Sequence, residues 1–176
     1  MKWQQLVTDI YERISQEFEA ALDGLTMDDL NKQPCPGCNS MGWLTWHRTR
    51  CQDKNTAELL GEEQFWTKDN WYAKFNPTFD PIDTGIGHSI EDTVAFRSPG
   101  ASTLLEYHRA VLERSKRYIT SELSETELNR EFNKPKYPTI TNVRTSLMRS
   151  INDNMQHLGQ ISYVRGMLRG CGWLGR

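Results

Sequence analysis

Four stretches of this chain carry apolar residues at three- and four-residue spacing, and no stretch alternates apolar with polar over the length of a strand. The first period lines one face of a helix, whereas a half-buried strand needs the second. In the first stretch Trp3, Leu6, Val7, Ile10, Tyr11, Ile14, Phe18, Ala21 and Leu22 follow the helical rule, and Gly24 stands where a helix ends. A second helix starts at Asn39 or Ser40, either a natural N-cap, and runs to about Leu60. Trp43, Leu44, His47, Cys51 and Leu59 share its apolar side. The third, from about Ser102 to Leu123, buries Leu104, Leu105, His108, Val111, Leu112, Tyr118 and Ile119. The fourth, from about Asn142 to Leu168, buries Val143, Leu147, Ile151, Leu158, Ile161 and Leu168, and Gly170 and Gly172 close it. A weaker start lies at Thr26, with Asp28 and Asp29 in its first turn. The expected fold class is all-α, a four-helix bundle.

The segments between these helices add one constraint. Pro34 to Ser40, with two Pro and one Gly, reads as a loop. Residues 61 to 100 form a long connection between the second and third helices, carrying a short extra helix near Ser89 to Phe96. A connection of that length is functional or a crossover, and it frees the bundle from simple up-down order. Its Trp66, Trp71, Phe75 and Phe79 predict packing on the bundle, as the roof of a pocket or as a seal along its side.

At 176 residues the chain suits a single domain spanning 1–176, with room for a core that needs no staples. Only 37% of residues are apolar, but six each of Trp, Tyr and Phe supply large buried area per side chain. A net charge of −2 argues against nucleic acid as a partner, because clustered Lys and Arg carry that binding. No apolar run of about 18 residues spans a membrane. The first residues, MKWQQLVTDIYERIS, lack the apolar region of a signal peptide. The expectation is a cytoplasmic protein acting on a small molecule, with Cys35, Cys38, Cys51 and Cys171 mostly reduced.

Three polar residues fall where burial makes them costly. His157 lies between Val164 and Leu168 on the wheel of the fourth helix, and Asp153 projects from the same side one turn earlier. His47 sits among Trp43, Leu44 and Cys51. Buried His and Asp need partners. A divalent metal held by His47, Asp153 and His157 would satisfy all three and leave positions open for water or substrate. The plain alternative is a hydrogen-bonded Asp–His pair on a half-buried face.

The run Pro36-Gly37-Cys38-Asn39-Ser40-Met41-Gly42-Trp43-Leu44-Thr45-Trp46-His47, followed by Arg50 and Asp53, resembles the second-helix signature of the DinB / YfiT-like superfamily. That superfamily includes mycothiol-dependent maleylpyruvate isomerases and bacillithiol transferases. Asp153-Asn154-Met155-Gln156-His157-Leu158-Gly159-Gln160-Ile161, continuing through Tyr163, Arg165 and Gly166, is similar to its last-helix motif, and Gly87-His88-Ser89-Ile90-Glu91-Asp92 resembles one branch. The resemblance covers essentially the whole chain. It implies a four-helix bundle, often a homodimer, holding nickel or zinc on three side chains, here His47, Asp153 and His157. Asp153 departs from the commonest three-His pattern, although the mycothiol isomerase branch also uses an acidic residue there; it shifts preference towards harder ions. The implied chemistry is S-transferase or isomerase-like, with a low-molecular-weight thiol presented as thiolate. The alternatives are a metal-dependent hydrolase and a non-catalytic stress or ligand-binding bundle with a vestigial site.

Other candidates read more plainly. Cys35-Pro-Gly-Cys38 has the spacing of a redox pair but lacks a βαβ setting, so an incidental loop pair is favoured over a thiol sensor. Cys51, one turn after His47, is a fourth ligand, a nucleophile or, preferably, a small buried residue. His108 reads as a satisfied core or interface histidine. His88 reads as surface or loop-fixing.

Overall fold

The structure is a computed structural model that describes residues 2–75, 80–170 and 172–174. Phe79 and Cys171, singled out above, lie outside the described residues. Four long helices form a bundle: α1 (Trp3–Leu22), then after the short α2 (Met27–Asn31) comes α3 (Met41–Leu60). The connection holds α4 (Phe65–Lys68), a 3₁₀ turn at Trp71–Lys74 and α5 (Ile90–Ala95). The third long helix, α6 (Ala101–Arg117), continues as a π turn over Tyr118–Glu122 before the short α7 (Glu125–Leu128). The last is α8 (Val143–Arg169). Among the described residues there is no strand, only an isolated bridge between Glu131 and Asn142. No helix is long and apolar enough to cross a membrane.

Local chemistry sets the helix starts. Ser40 Oγ accepts the Trp43 N–H at 3.2 Å, fixing the first turn of α3. Thr26 with Asp29, Ser89 with Asp92 and Asn142 with Thr145 form reciprocal capping boxes at α2, α5 and α8. At the far end of α3, Gly61 adopts the left-handed conformation at φ +69° that closes the helix.

α1 and α3 each pack against both α6 and α8, which puts them on diagonal corners of the bundle. Phe18, Leu22, Leu30, Met41, Trp46, Leu104, Tyr107, Val111 and Ile161 meet in one core cluster. Tyr11, Leu59, Leu112, Ile119, Val143 and Leu147 form a second one towards the π turn.

α3 differs from the expectation of one apolar side. From Met41 to Asp53 every residue is buried except the half-buried Cys51, and Arg48, Arg50, Gln52 and Asp53 are inside. The physical reason is position: α2 and the connection cover the flanks that α6 and α8 leave open. Trp66, Trp71 and Phe75 stack round Tyr107, with centroids 5.3, 5.3 and 6.1 Å away, and so seal the side of the bundle. Cys35 and Cys38 are disulfide-bonded, against the expectation of reduced thiols. The turn between them, closed by Cys38 N–H to Cys35 O at 3.1 Å and by Gly37 at φ +78°, brings their Cα atoms to 5.5 Å, inside the bonding range.

Candidate metal centre

α3 and α8 bring two of the sequence candidates face to face. The rings of His47 and His157 meet edge-on, centroids 4.9 Å apart at 86°. His47 is 8% exposed and lies flat on Trp43, one turn earlier on α3, at 4.6 Å and 14°. His157 and Asp153 are less enclosed than their wheel positions suggested: both sit on the half-buried edge of α8, with Asp153 Oδ1 3.7 Å from His157 Nε2.

Each imidazole is oriented through Nδ1. His47 Nδ1 donates to the carbonyl of Thr84 in the connection. His157 Nδ1 donates to Gln160 Oε1 at 2.7 Å, one turn along α8. A proton on Nδ1 leaves Nε2 with a free lone pair, the form in which imidazole ligates a metal. Burial holds His47 below the usual histidine range; the Thr84 carbonyl opposes that and His157 adds to it, Asp153 opposes it and His88 adds to it. A neutral ring is therefore the resting form.

Cys51 Sγ lies 3.8 Å from His47 Nε2. Burial, with Asp153 beside it, pushes its thiol up to about 12, so it is a protonated, half-buried residue at neutral pH. His108 is a satisfied core histidine: it is fully buried, accepts from Arg48 Nη1 at 3.1 Å through Nδ1, and meets Ser15 Oγ at 2.9 Å through Nε2. His88 fixes the connection. Its Nδ1 accepts from Trp43 Nε1 at 3.2 Å, and its Nε2 donates to Asp83 Oδ2 at 2.6 Å.

Beneath the histidines lies a network that the sequence reading left without a role. Asp53, fully buried, accepts the backbone N–H groups of Phe65 and Trp66 at 3.0 and 2.9 Å and the Tyr107 hydroxyl at 2.7 Å. Arg50 and Arg114 stand 3.7 and 3.4 Å from its carboxylate. The signal was present: Arg50 and Asp53 three residues apart, in a helix otherwise crowded with Trp and Leu, need each other if buried.

The donor set suits a divalent ion in kind. Two imidazole Nε2 atoms and one carboxylate are a ligand trio that zinc and nickel accept. Donor atoms sharing a tetrahedral ion stand roughly 3.4 Å apart for metal–ligand bonds near 2.1 Å, close to the 3.7 Å between His157 and Asp153. Among the described residues, however, no three His, Cys, Asp or Glu side chains are gathered into a closed ligand group.

Comparisons agree with this architecture. A crystal structure described as the conserved protein of a locus from Enterococcus faecalis superposes with a TM-score of 0.86, over 97% of this chain and 99% of that one, at 25% identity. No curated protein matches the chain. The family profile of the DinB superfamily matches residues 10–161, from the middle of α1 to the Asp153–His157 turn of α8 and beyond. With its fold, its facing histidines and this match running through both helices that carry them, the chain belongs to the DinB superfamily.

Proposed function

We propose that this chain is a metal-dependent enzyme of small-molecule chemistry. In this reading His47, Asp153 and His157 hold one divalent ion, nickel or zinc, and the reaction transfers a low-molecular-weight thiol to an electrophile or isomerises an adduct of that kind. The observation supporting it is the matched setting of the two histidines. Each Nδ1 is occupied by an oxygen acceptor, so each ring carries its lone pair on Nε2, beside the Cys51 thiol for His47 and the Asp153 carboxylate for His157. A bound divalent ion supplies acidity to a coordinated thiol, which is then presented as thiolate.

The chain's own residues do the rest. Trp43 lies flat under His47 and keeps water from that side. Asp153 and His157, at the half-exposed edge of α8, are open to a small molecule arriving from solvent. Burial holds Cys51 protonated in the metal-free chain, and the reading takes its nucleophilic sulfur from a small thiol instead. We place the enzyme in a homodimer, on the strength of an apolar α8 face that nothing in the single bundle covers.

The test is metal analysis of protein purified without a His tag. Wild type carries about one divalent ion per chain, and His47→Ala and His157→Ala lose it on dialysis. A folded wild type that is metal-free and resists loading with nickel or zinc overturns the reading and leaves the non-catalytic bundle.

A further inference from the structure

Arg50 sits one turn from His47 on α3 and is completely buried. Its guanidinium ties the start of the long connection to its middle. Nη1 donates to Gln64 Oε1 at 2.8 Å, near the start. Nε donates to the Asp83 carbonyl at 3.1 Å and Nη2 to the Pro81 carbonyl at 3.5 Å, at its middle. Asp53 and the Trp66 ring, 4.6 Å below, hold the guanidinium itself. The residue after Asp83 is Thr84, whose carbonyl meets His47 Nδ1.

The turn beyond is tied down equally. Asp83 Oδ1 accepts the Gly85 N–H at 2.7 Å, and Asp83 Oδ2 accepts from His88. Gly85 lies against the aromatic floor at φ +83°. A Cβ there would stand 2.8 Å from Trp43, 2.9 Å from Trp46 and 3.0 Å from His47 Nδ1. The connection can therefore place a carbonyl on His47 only while position 85 is glycine and the preceding carbonyls are pinned.

We infer that Arg50 is a positioning residue for His47: by holding the carbonyls of Pro81 and Asp83 it sets the Thr84 carbonyl against Nδ1 and keeps Nε2 unprotonated and available. This rests on the proposed metal reading only for the use made of Nε2. Outer partners of this kind act on a ligand through tautomer and ring orientation. Lysine cannot replace the arginine, because a single ammonium does not present a planar fork to three acceptors at once.

The test reads the imidazole directly, by ¹⁵N NMR of the metal-free protein at a pH where His47 is neutral. In wild type His47 shows a protonated Nδ1 and an unprotonated Nε2. Arg50→Lys, with helical content retained, shows a mixture containing the Nε2–H form. Gly85→Ala, which leaves Arg50 untouched, shows the same mixture because it displaces the Thr84 carbonyl directly, and Arg50→Gln takes the place of Arg50→Lys if that variant does not fold. In protein that loads nickel or zinc, both variants weaken metal affinity by about 10–100-fold. An Nε2–H form in wild type, or folded variants that keep the wild-type tautomer, overturns the inference. A wild type that takes no metal yet shows the expected tautomers overturns only the metal reading.

Discussion

A fully buried imidazole between an arginine and a serine has only one comfortable protonation state, and His108 is in it. Arg48 donates to Nδ1, so the proton is on Nε2, facing Ser15. Protonation would replace that bond with two like charges in the core. Burial above all, then Arg48 and Arg109, hold His108 well below the ordinary histidine range. The unfolded chain takes up this proton at about pH 6.5, whereas the folded one does not. Stability is then complete above that pH and falls as pH drops below it, by at most about 1.4 kcal/mol per pH unit for this group. His108→Gln can keep both contacts without titrating. Urea unfolding between pH 7 and pH 5 will show a shallower pH slope in the variant than in wild type. His47 titrates in both proteins, so the difference belongs to His108, and equal slopes refute the account.

Among elements, the short α4 shows how a helix can be dictated from far away. Its N-cap residue, Gln64, makes no side-chain cap bond. The first N–H groups go instead to Asp53, a whole helix earlier in the chain. No local reading of residues 61–75 could supply that cap, so α4 and the 3₁₀ turn after it were not legible. The four long helices were legible from their apolar periods, and the starts at Thr26, Ser40, Ser89 and Asn142 from caps that lie within their own residues. That His47 and His157 face each other was implied by the family resemblance; periodicity put each on an apolar side but left the pairing of the helices open. The Thr84 carbonyl that orients His47 was not legible, because it depends on the path of the connection. Asp53 joins α3, α4 and α6, so its removal is felt across all three. Asp53→Ala leaves Arg50 and Arg114 buried without their carboxylate and will cost about 3–5 kcal/mol of unfolding free energy, read from the urea midpoint. Asp53→Asn will cost less, because an amide oxygen still accepts a backbone N–H. A loss under about 1 kcal/mol for Asp53→Ala would show that the network carries no stability.

For the molecule as a whole, the outward side of α8 is the surface that a single bundle leaves unexplained. Met148, Met155, Tyr163 and Met167 are exposed by 62, 55, 72 and 55% along that one helix. Isolated apolar residues on a surface are ordinary, but four large ones on one face of one helix, set among Asn152 and Gln156, are suited to an interface. Gly159 sits midway along it, with nothing within 4 Å of the place a Cβ would take, so a second backbone can approach closely there. A face with its glycine near the middle and large apolar side chains on either side is suited to meeting its own copy across a two-fold axis. Light scattering at tens of micromolar protein will give about twice the 20.5 kDa chain mass. Met155→Glu places two like charges at such an axis and will give the chain mass, with helicity and metal content as in wild type, since Met155 points away from the His47–His157 pair. A monomeric wild type at that concentration removes the dimer. A dimer unchanged by Met155→Glu keeps the assembly and moves its interface off α8.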